Sequence, residues 1–191
     1  MTAPRRFARS ELATFLRAVD DLLEQPAQIV VIGGGALALG YDVDVGTQDI
    51  DTYKSDLALI NDAAQRARAA TGLKIPISAV TVADFPWNFR DRLTRALPDL
   101  RRLDVQVLEK HDLALSKVIR GDDHDFQQLL SLHETVGLHF GTLLERYIEE
   151  MGHEVAHPGR VRLNLLELVE HLFGELARVE AERQLARATP E

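Results

Sequence analysis

Hydrophobic and polar positions along this chain predict strands in its first half and helices in its second. The segment Ile29-Val30-Val31-Ile32 is apolar and β-branched throughout, which is typical of a strand buried on both faces. Polar and apolar residues alternate over 48–53 and 103–108, as in half-buried strands. Residues 75–82 form a further predicted strand, placed at a sheet edge because Pro76 cannot donate to a ladder.

Apolar residues at helical spacing predict helices around these strands. A first helix ends before Pro26, and a second covers Leu57 to Ala70. Ala36 to Leu39 has room for one or two turns, whereas Phe85 to Pro98 is irregular or a short helix. The later helices are predicted over 111–120, 123–136, 141–151 and 160–183. These elements predict an α+β protein, in which helices back a small mixed β-sheet and the C-terminal half is helical.

Composition narrows the class of protein. The chain has 191 residues, a formal net charge of −8 and no cysteine. The lack of cysteine excludes disulfide scaffolds, thiol catalysis and zinc–thiolate sites. No apolar run approaches the roughly 20 residues of a membrane span, so we expect no membrane partner and a cytoplasmic location. We expect a single domain, with its core over 1–135 and a packed helical extension over 136–191.

The strongest chemical signal follows the first strand. Gly33, Gly34 and Gly35 let the backbone approach a ligand closely, and their N–H groups can hold phosphate oxygens at the start of a helix. Asp49 and Asp51 lie two residues apart on a predicted strand, so both carboxylates point to one face. Two adjacent carboxylates repel each other unless a hard cation such as Mg²⁺ lies between them. This combination predicts phosphoryl or nucleotidyl transfer.

Two segments also resemble a known family. Ile32 to Gly40, followed by Thr47-Gln48-Asp49-Ile50-Asp51, is similar to the signature of minimal nucleotidyltransferases, the polymerase-beta-like superfamily. Asp112 to Gly121, followed by Asp125, is similar to the AbiE-type toxin branch of that superfamily and its small uncharacterised relatives. The resemblance covers roughly residues 10–135, most of a single domain, and implies a β-sheet of nucleotidyltransferase type.

The resemblance implies roles for the residues of the first segment. Asp49 and Asp51 would hold Mg²⁺ or Mn²⁺, and Thr47 would support the nucleotide site. The three glycines Gly33, Gly34 and Gly35 would lie against the triphosphate of the NTP.

The second segment implies further site residues. Lys117 would contact phosphate, and Asp125 would act as a further carboxylate or as a base. The wider superfamily often has a third metal-binding carboxylate on a later strand, where Asp104 fits. Asp125 and Asp104 both remain candidates for the third carboxylate.

The resemblance implies a metal-dependent transfer of NMP from an NTP to a hydroxyl of RNA, such as tRNA, or of a protein. The AbiE-type branch further implies the toxin of a toxin–antitoxin or phage-defence pair, with a cognate antitoxin as partner. Because the chain is acidic, an RNA acceptor needs a local basic patch. The candidate residues for this patch are Arg90, Arg92, Arg95, Arg101 and Arg102.

One departure from the family pattern motivates an alternative. Members commonly carry an arginine just before the Thr or Ser of the second strand, and this chain has Val45 and Gly46 there. The alternative is a catalytically degenerate protein of the same fold that binds a nucleotide or a partner. A monomer and a homodimer both remain open, since the apolar stripe from Leu165 to Val179 can pack within the chain or between two chains.

Two other motifs are weaker. Gly33-x-Gly35-x-x-Ala38 is a loose dinucleotide fingerprint, but the distance to the next strand is too short for the full helix of a Rossmann unit. His153-Glu154-Val155-Ala156-His157 matches the zincin pattern, but Pro158 biases His157 away from the helix that this chemistry needs. We favour a loop with surface histidines.

Overall fold

The computed structural model describes residues 5–81, 83–151 and 155–188. Over these ranges the chain forms eight α-helices, one 3₁₀ turn and five strands in a mixed sheet, which confirms the α+β class. Contacts between residues divide the chain into two units. The first comprises Met1–Ala83 and Leu93–Leu108, and the second Asp84–Arg92 and Glu109–Glu191. The predicted division near residue 135 differs from this one and stays a prediction.

The first unit contains the sheet, in the order β3-β2-β1-β5-β4. Its strands are β1 (Ala27–Val31), β2 (Ile50–Thr52), β3 (Ile77–Ala79), β4 (Thr94–Ala96) and β5 (Leu103–Val107). The central strand β1 pairs in parallel with β5 and antiparallel with β2. The outer strands complete the sheet, β3 in parallel with β2 and β4 antiparallel to β5.

One face of this sheet is apolar and covered by helices. The helices of the unit are α1 (Arg9–Leu22), α2 (Gly33–Tyr41) and α3 (Leu57–Thr71). Alternate residues of β5 (Leu103, Val105 and Val107) are buried, whereas Asp104 and Gln106 between them are half-buried. The opposite face of the sheet therefore carries the polar side chains.

Helix α2 packs so closely on the sheet that there is no room for a side chain at Gly40. A Cβ atom there would lie 2.6 Å from Cγ2 of Val107 on the buried strand β5. We expect Gly40→Ala to lower the free energy of unfolding by about 1–3 kcal/mol through overpacking. Chemical denaturation measures this change. Gly141→Ala is the control, because nothing lies within 4 Å of that Cβ position, and a substitution at such an exposed position usually changes stability by no more than about 0.5 kcal/mol. Equal effects of the two substitutions would contradict the packing argument.

The second unit is helical over its described residues. It contains a 3₁₀ turn (Phe89–Arg92), α4 (Lys110–Arg120), α5 (Asp123–Val136), α6 (Phe140–Glu150), α7 (Pro158–Phe173) and α8 (Glu175–Ala188). Helix α4 packs against α5, α6 and α7. In the part of the chain that the structure describes, no helix combines the length and the apolar character needed to cross a membrane.

The predicted helix over 160–183 is in fact two helices. Gly174, with φ of 87°, separates α7 from α8. The predicted apolar stripe is therefore not one continuous buried face. Its residues Leu165, Leu168 and Val169 are buried, whereas Leu176 is 87% exposed. A periodic pattern continues through a glycine in the sequence, but the left-handed backbone at this glycine ends the helix.

Candidate functional site

The glycine segment forms the first turn of helix α2. Ile32 is extended, and Gly33 has φ of 61°, a left-handed conformation that favours glycine. At Gly35, a Cβ would lie 2.9 Å from Cγ1 of Val31. The first N–H groups of a helix have no acceptor within it and carry a partial positive charge. The segment therefore offers backbone donors to an anion.

The carboxylate of Asp51 lies beside this turn. Strand β2 runs antiparallel to β1, and the N–H of Ile32 donates to the carbonyl oxygen of Asp51 at 2.9 Å. Oδ2 of Asp51 is 3.5 Å from the position that a Cβ would take at Gly33. The structure thus brings Gly33 and Asp51, predicted separately along the chain, into direct proximity.

Asp49 and Thr47 lie just before β2. Ile50 is fully buried, whereas Asp49 and Asp51 on either side of it are only half-buried. Asp49 belongs to the bend that precedes the strand, and the hydroxyl of Thr47 donates to its carbonyl oxygen at 3.0 Å. Thr47 therefore fixes the backbone that carries Asp49. Its contact with a nucleotide stays a prediction.

The chemistry of these donors fits a magnesium ion. Mg²⁺ is commonly bound through one or two carboxylates together with substrate phosphates and water. Asp51 supplies one such carboxylate beside the backbone donors, and Asp49 lies two residues before it along the chain; that both hold the ion stays a prediction. Among the described residues, no group of three or more His, Asp or Glu side chains is arranged to hold a metal ion. The fit therefore rests on two carboxylates and the phosphates of a substrate.

Asp104 does not lie with this pair. Asp104 lies opposite Gln28 near the start of β1, whereas the carbonyl oxygen of Asp51 accepts a hydrogen bond from Ile32, just after the end of β1. Four residues of strand correspond to about 13 Å, so one ion cannot bridge Asp104 and Asp51. Asp104 instead forms an ion pair with Arg95 at 3.3 Å and accepts a hydrogen bond from Gln106 at 2.8 Å. The expected ion shared by Asp104, Asp49 and Asp51 is incompatible with this placement.

In the second unit, Lys117 and Asp125 contact each other directly. Lys117 lies on α4 and is 4% exposed, and its Nζ donates to Oδ1 of Asp125 at 2.9 Å. The same ammonium donates to Gln128. Arg120 donates to the other oxygen of Asp125 at 2.6 Å. The second predicted segment therefore forms a buried ion pair, and the phosphate contact of Lys117 stays a prediction.

The surroundings change the pKa of both partners. Burial raises the pKa of Asp125, but hydrogen bonds from Arg120 and Lys117 outweigh burial and lower it below its usual value. Burial lowers the pKa of Lys117, and the contact with Asp125 offsets part of that effect. Asp125 is thus held as a carboxylate engaged by two cations. Its role as a base stays a prediction.

A second buried charge network surrounds Asp112 on α4. This aspartate is fully buried and accepts from Arg92 at 2.9 and 3.0 Å and from Arg146 at 2.9 Å. Arg92 also donates to Glu150 at 2.8 and 2.9 Å, and Arg146 to Glu109. The sequence gives no sign of this network, because its members come from three distant segments.

This network changes the interpretation of the predicted basic patch. Arg92 is engaged by Asp112 and Glu150, so it does not offer a free cation to RNA. Arg90 belongs with Arg92 to the second unit, and the other three arginines belong to the first. Arg95 pairs with Asp104, and Arg101 pairs weakly with Asp21 at 3.4 Å. Arg90, Arg95, Arg101 and Arg102 are exposed and stay candidates for RNA contact.

Glu109, a member of this network, makes the free energy of unfolding depend on pH in the acid range. Burial raises its pKa, but hydrogen bonds from His111 and Arg146 outweigh burial and lower the pKa to about 2 from 4.5. A carboxyl whose pKa is lower in the folded chain stabilises it above pH 4.5, and this contribution disappears as the pH falls towards 2.

We therefore expect Glu109→Gln to lower stability most at neutral pH and to approach the parent chain near pH 2. Denaturant unfolding at a series of pH values measures this. A constant difference between the two proteins over the whole series would contradict the assignment.

The structure bears differently on the two weaker motifs, the dinucleotide fingerprint and the zincin pattern. Strands β1 and β2 are antiparallel, whereas a Rossmann unit needs parallel strands around its helix, so the dinucleotide interpretation is excluded. His153 and Glu154 of the zincin pattern lie outside the described residues. His157 precedes α7 with a non-helical backbone.

A comparison with known protein families finds a match that covers both predicted segments. The profile of a family described as "Nucleotidyltransferase of unknown function (DUF6036)" matches residues 10–169. Comparison with curated proteins and with solved structures gives no match. The matched range includes the glycine segment, Asp49 and Asp51, and the buried pair Lys117 and Asp125. Since the match covers most of the chain, the protein belongs to this nucleotidyltransferase family.

Proposed function

We propose that this protein transfers a nucleoside monophosphate from an NTP to a hydroxyl acceptor, with Mg²⁺ or Mn²⁺ bound by Asp49 and Asp51. The observation that carries the proposal is the placement of the Asp51 carboxylate beside Gly33 at the N-terminus of α2. This arrangement combines donors for phosphate oxygens with ligands for a hard cation. Membership of a nucleotidyltransferase family supports the same chemistry.

In the proposed reaction, the acceptor oxygen forms a bond to the α-phosphorus, and the bond between this phosphorus and the bridging oxygen to the β-phosphate breaks. Pyrophosphate leaves, and the hydroxyl proton passes to solvent or to a nearby base. The N–H groups of Gly33, Gly34 and Gly35 donate to phosphate oxygens and fix the triphosphate. Asp49 and Asp51 would hold the divalent cation, which would neutralise phosphate charge and favour deprotonation of the acceptor hydroxyl.

For the acceptor we propose RNA, such as tRNA, with a protein hydroxyl as the other class. The polar sheet face of the first unit includes a cavity of about 340 Å³, lined in part by Gln28, Asp104 and three arginines. These arginines are Arg95, Arg101 and Arg102. An acidic chain needs such a local group of cations to hold a phosphate backbone. We further propose that the chain is of the AbiE type and acts as the toxin of a toxin–antitoxin or phage-defence pair, with a cognate antitoxin as its partner.

A transfer assay tests the proposal. The purified chain is incubated with each labelled NTP, with Mg²⁺, Mn²⁺ or EDTA, and with total RNA or cell lysate. We expect label to enter an acceptor only when a divalent cation is present. Failure to label any acceptor, together with failure to bind any NTP, would overturn the proposal.

A second candidate function is nucleotide binding without transfer. Two observations favour it: Val45 and Gly46 stand where the minimal nucleotidyltransferases that the sequence resembles commonly have an arginine, and Asp104 lies far from Asp51. Thermal unfolding with each NTP and Mg²⁺ separates the candidates when it is compared with the transfer assay. Ligand at 100 times its Kd stabilises by about 2.7 kcal/mol, so stabilisation without transfer identifies the second candidate.

A further inference from the structure

The segment before α1 is joined to the segment before β2. The N–H of Phe7 donates to the carbonyl oxygen of Thr47 at 2.7 Å, and the N–H of Thr47 donates to that of Phe7 at 3.2 Å. Phe7 is 4% exposed, which anchors the pairing in the core. Two residues that lie far apart in the sequence are therefore fixed side by side, two positions before Asp49.

This pairing places Arg6 against Gly46. The side-chain stem of Arg6 lies 3.3 to 4.0 Å from the position that a Cβ would take at Gly46, whose φ is 50°. The guanidinium donates to the carbonyl oxygen of Val45 at 3.3 Å and is otherwise exposed. A guanidinium has five N–H donors, so most of those on Arg6 remain available to a ligand.

Arg6 differs from the neighbouring arginines in its charge environment. Arg5 forms an ion pair with Glu11 at 2.6 Å, and Arg9 forms one with Asp42 at 3.3 Å. In the described part of the chain, no carboxylate oxygen lies within 4.0 Å of the guanidinium of Arg6. Arg6 is thus an exposed cation that is held in place by backbone pairing and a carbonyl contact.

The adjoining segment lacks a cation of its own. Residues 42–51 contain four aspartates and no lysine or arginine. The triphosphate of an NTP adds several negative charges beside Asp49 and Asp51, and an arginine binds phosphate through charge-assisted hydrogen bonds. The pairing of Phe7 with Thr47 delivers one such cation to this acidic segment.

We propose that Arg6 binds the phosphate chain of the NTP, an inference that rests on the proposed function. Arg6 lies outside residues 10–169, the range that the family profile matches. The segment that precedes α1 thus supplies a binding residue, which contacts the β- and γ-phosphates rather than the base or the ribose. It therefore increases affinity for an NTP more than for the corresponding NMP.

Titration calorimetry with each of the four NTPs and Mg²⁺, and with the corresponding NMPs, tests this assignment. We expect Arg6→Ala to weaken NTP binding about tenfold, as for the loss of one charged hydrogen-bonding group, and to leave NMP binding nearly unchanged. Arg6→Lys keeps the charge and the stem and should restore part of the affinity. Arg9→Ala is the control, since it removes the same charge from a residue that is already paired with Asp42.

The outcomes separate this inference from the proposed function. If the parent chain binds no NTP, both fail. If the parent chain binds an NTP and Arg6→Ala binds it equally well, or if Arg9→Ala weakens binding as much, the role of Arg6 is overturned and the proposed function stands. Thermal unfolding of each variant checks the fold. If Arg6→Ala unfolds, Arg6→Gln against Arg6→Lys gives the same comparison of charge with the stem retained.

Discussion

Replacement of Asp51 with asparagine is expected to lower nucleotidyl transfer about a thousandfold. Asp51 lies beside the first turn of α2 and supplies a carboxylate for the cation of the proposed reaction. Charge stabilisation by such a cation is worth several kcal/mol in the transition state. Each 1.36 kcal/mol corresponds to a tenfold change in rate, so a loss of about 4 kcal/mol gives this factor. Initial rates of label transfer measure the effect.

Asp44→Asn is the matched control for this prediction. Asp44 lies in the same acidic segment, is exposed, and loses the same charge when it is replaced. We expect its transfer rate to stay within about twofold of the parent rate, as for a surface change away from the site. Undiminished transfer by Asp51→Asn, or an equal loss in both variants, would falsify the assignment of Asp51.

Replacement of Asp112 with alanine is expected to destabilise the second unit by about 3–5 kcal/mol. Asp112 is fully buried and accepts hydrogen bonds from Arg92 and Arg146. A guanidinium does not lose its proton in a protein. Removal of one partner from a buried ion pair leaves a charge without compensation, which costs about that much. Denaturant unfolding followed by far-ultraviolet circular dichroism measures the loss of helix.

Two further variants test whether this cost comes from the ion pairs. Glu145→Ala removes an exposed carboxylate next to Arg146 and should change stability by no more than about 0.5 kcal/mol. The double variant Arg92→Ala with Asp112→Ala should be more stable than the sum of the single effects predicts, by about 0.5–3 kcal/mol. Strict additivity would show that packing, rather than charge, accounts for the loss.

Local patterns in the sequence were sufficient for much of the fold. The uninterrupted apolar run predicted β1, and alternation predicted β2 and β5, because side chains of a strand point to opposite faces. Strand β4 was missed, since Thr94 and Arg95 are exposed and three residues are too few for a periodic signal. Helix α2 is longer than the predicted one or two turns, because it begins at the glycine segment and continues through Gly40 to Tyr41.

The sequence indicates candidate site residues only where these residues lie in short segments. Spacing alone indicated Asp49 and Asp51, and resemblance indicated Lys117 and Asp125. The proximity of Arg6 to Gly46, and of Arg92 to Asp112, depends on pairing between distant segments. A single sequence contains no periodicity that reports such contacts. Asp104 shows the converse, since its place on a strand was predicted correctly, but alternation does not report how far along the sheet it lies from Asp51.

The pairing of β1 with β5 also bears on how the chain folds. Ala27 pairs with Leu103, so the two central strands meet only after a long intervening loop of chain has closed. Closure of long loops and non-local strand pairing slow folding, whereas helices form through local contacts. We therefore expect helical structure in the second unit to form in an early kinetic phase. The juxtaposition of Gly33 with Asp51 can form earlier than the complete sheet, because only β1, α2 and β2 are required for it.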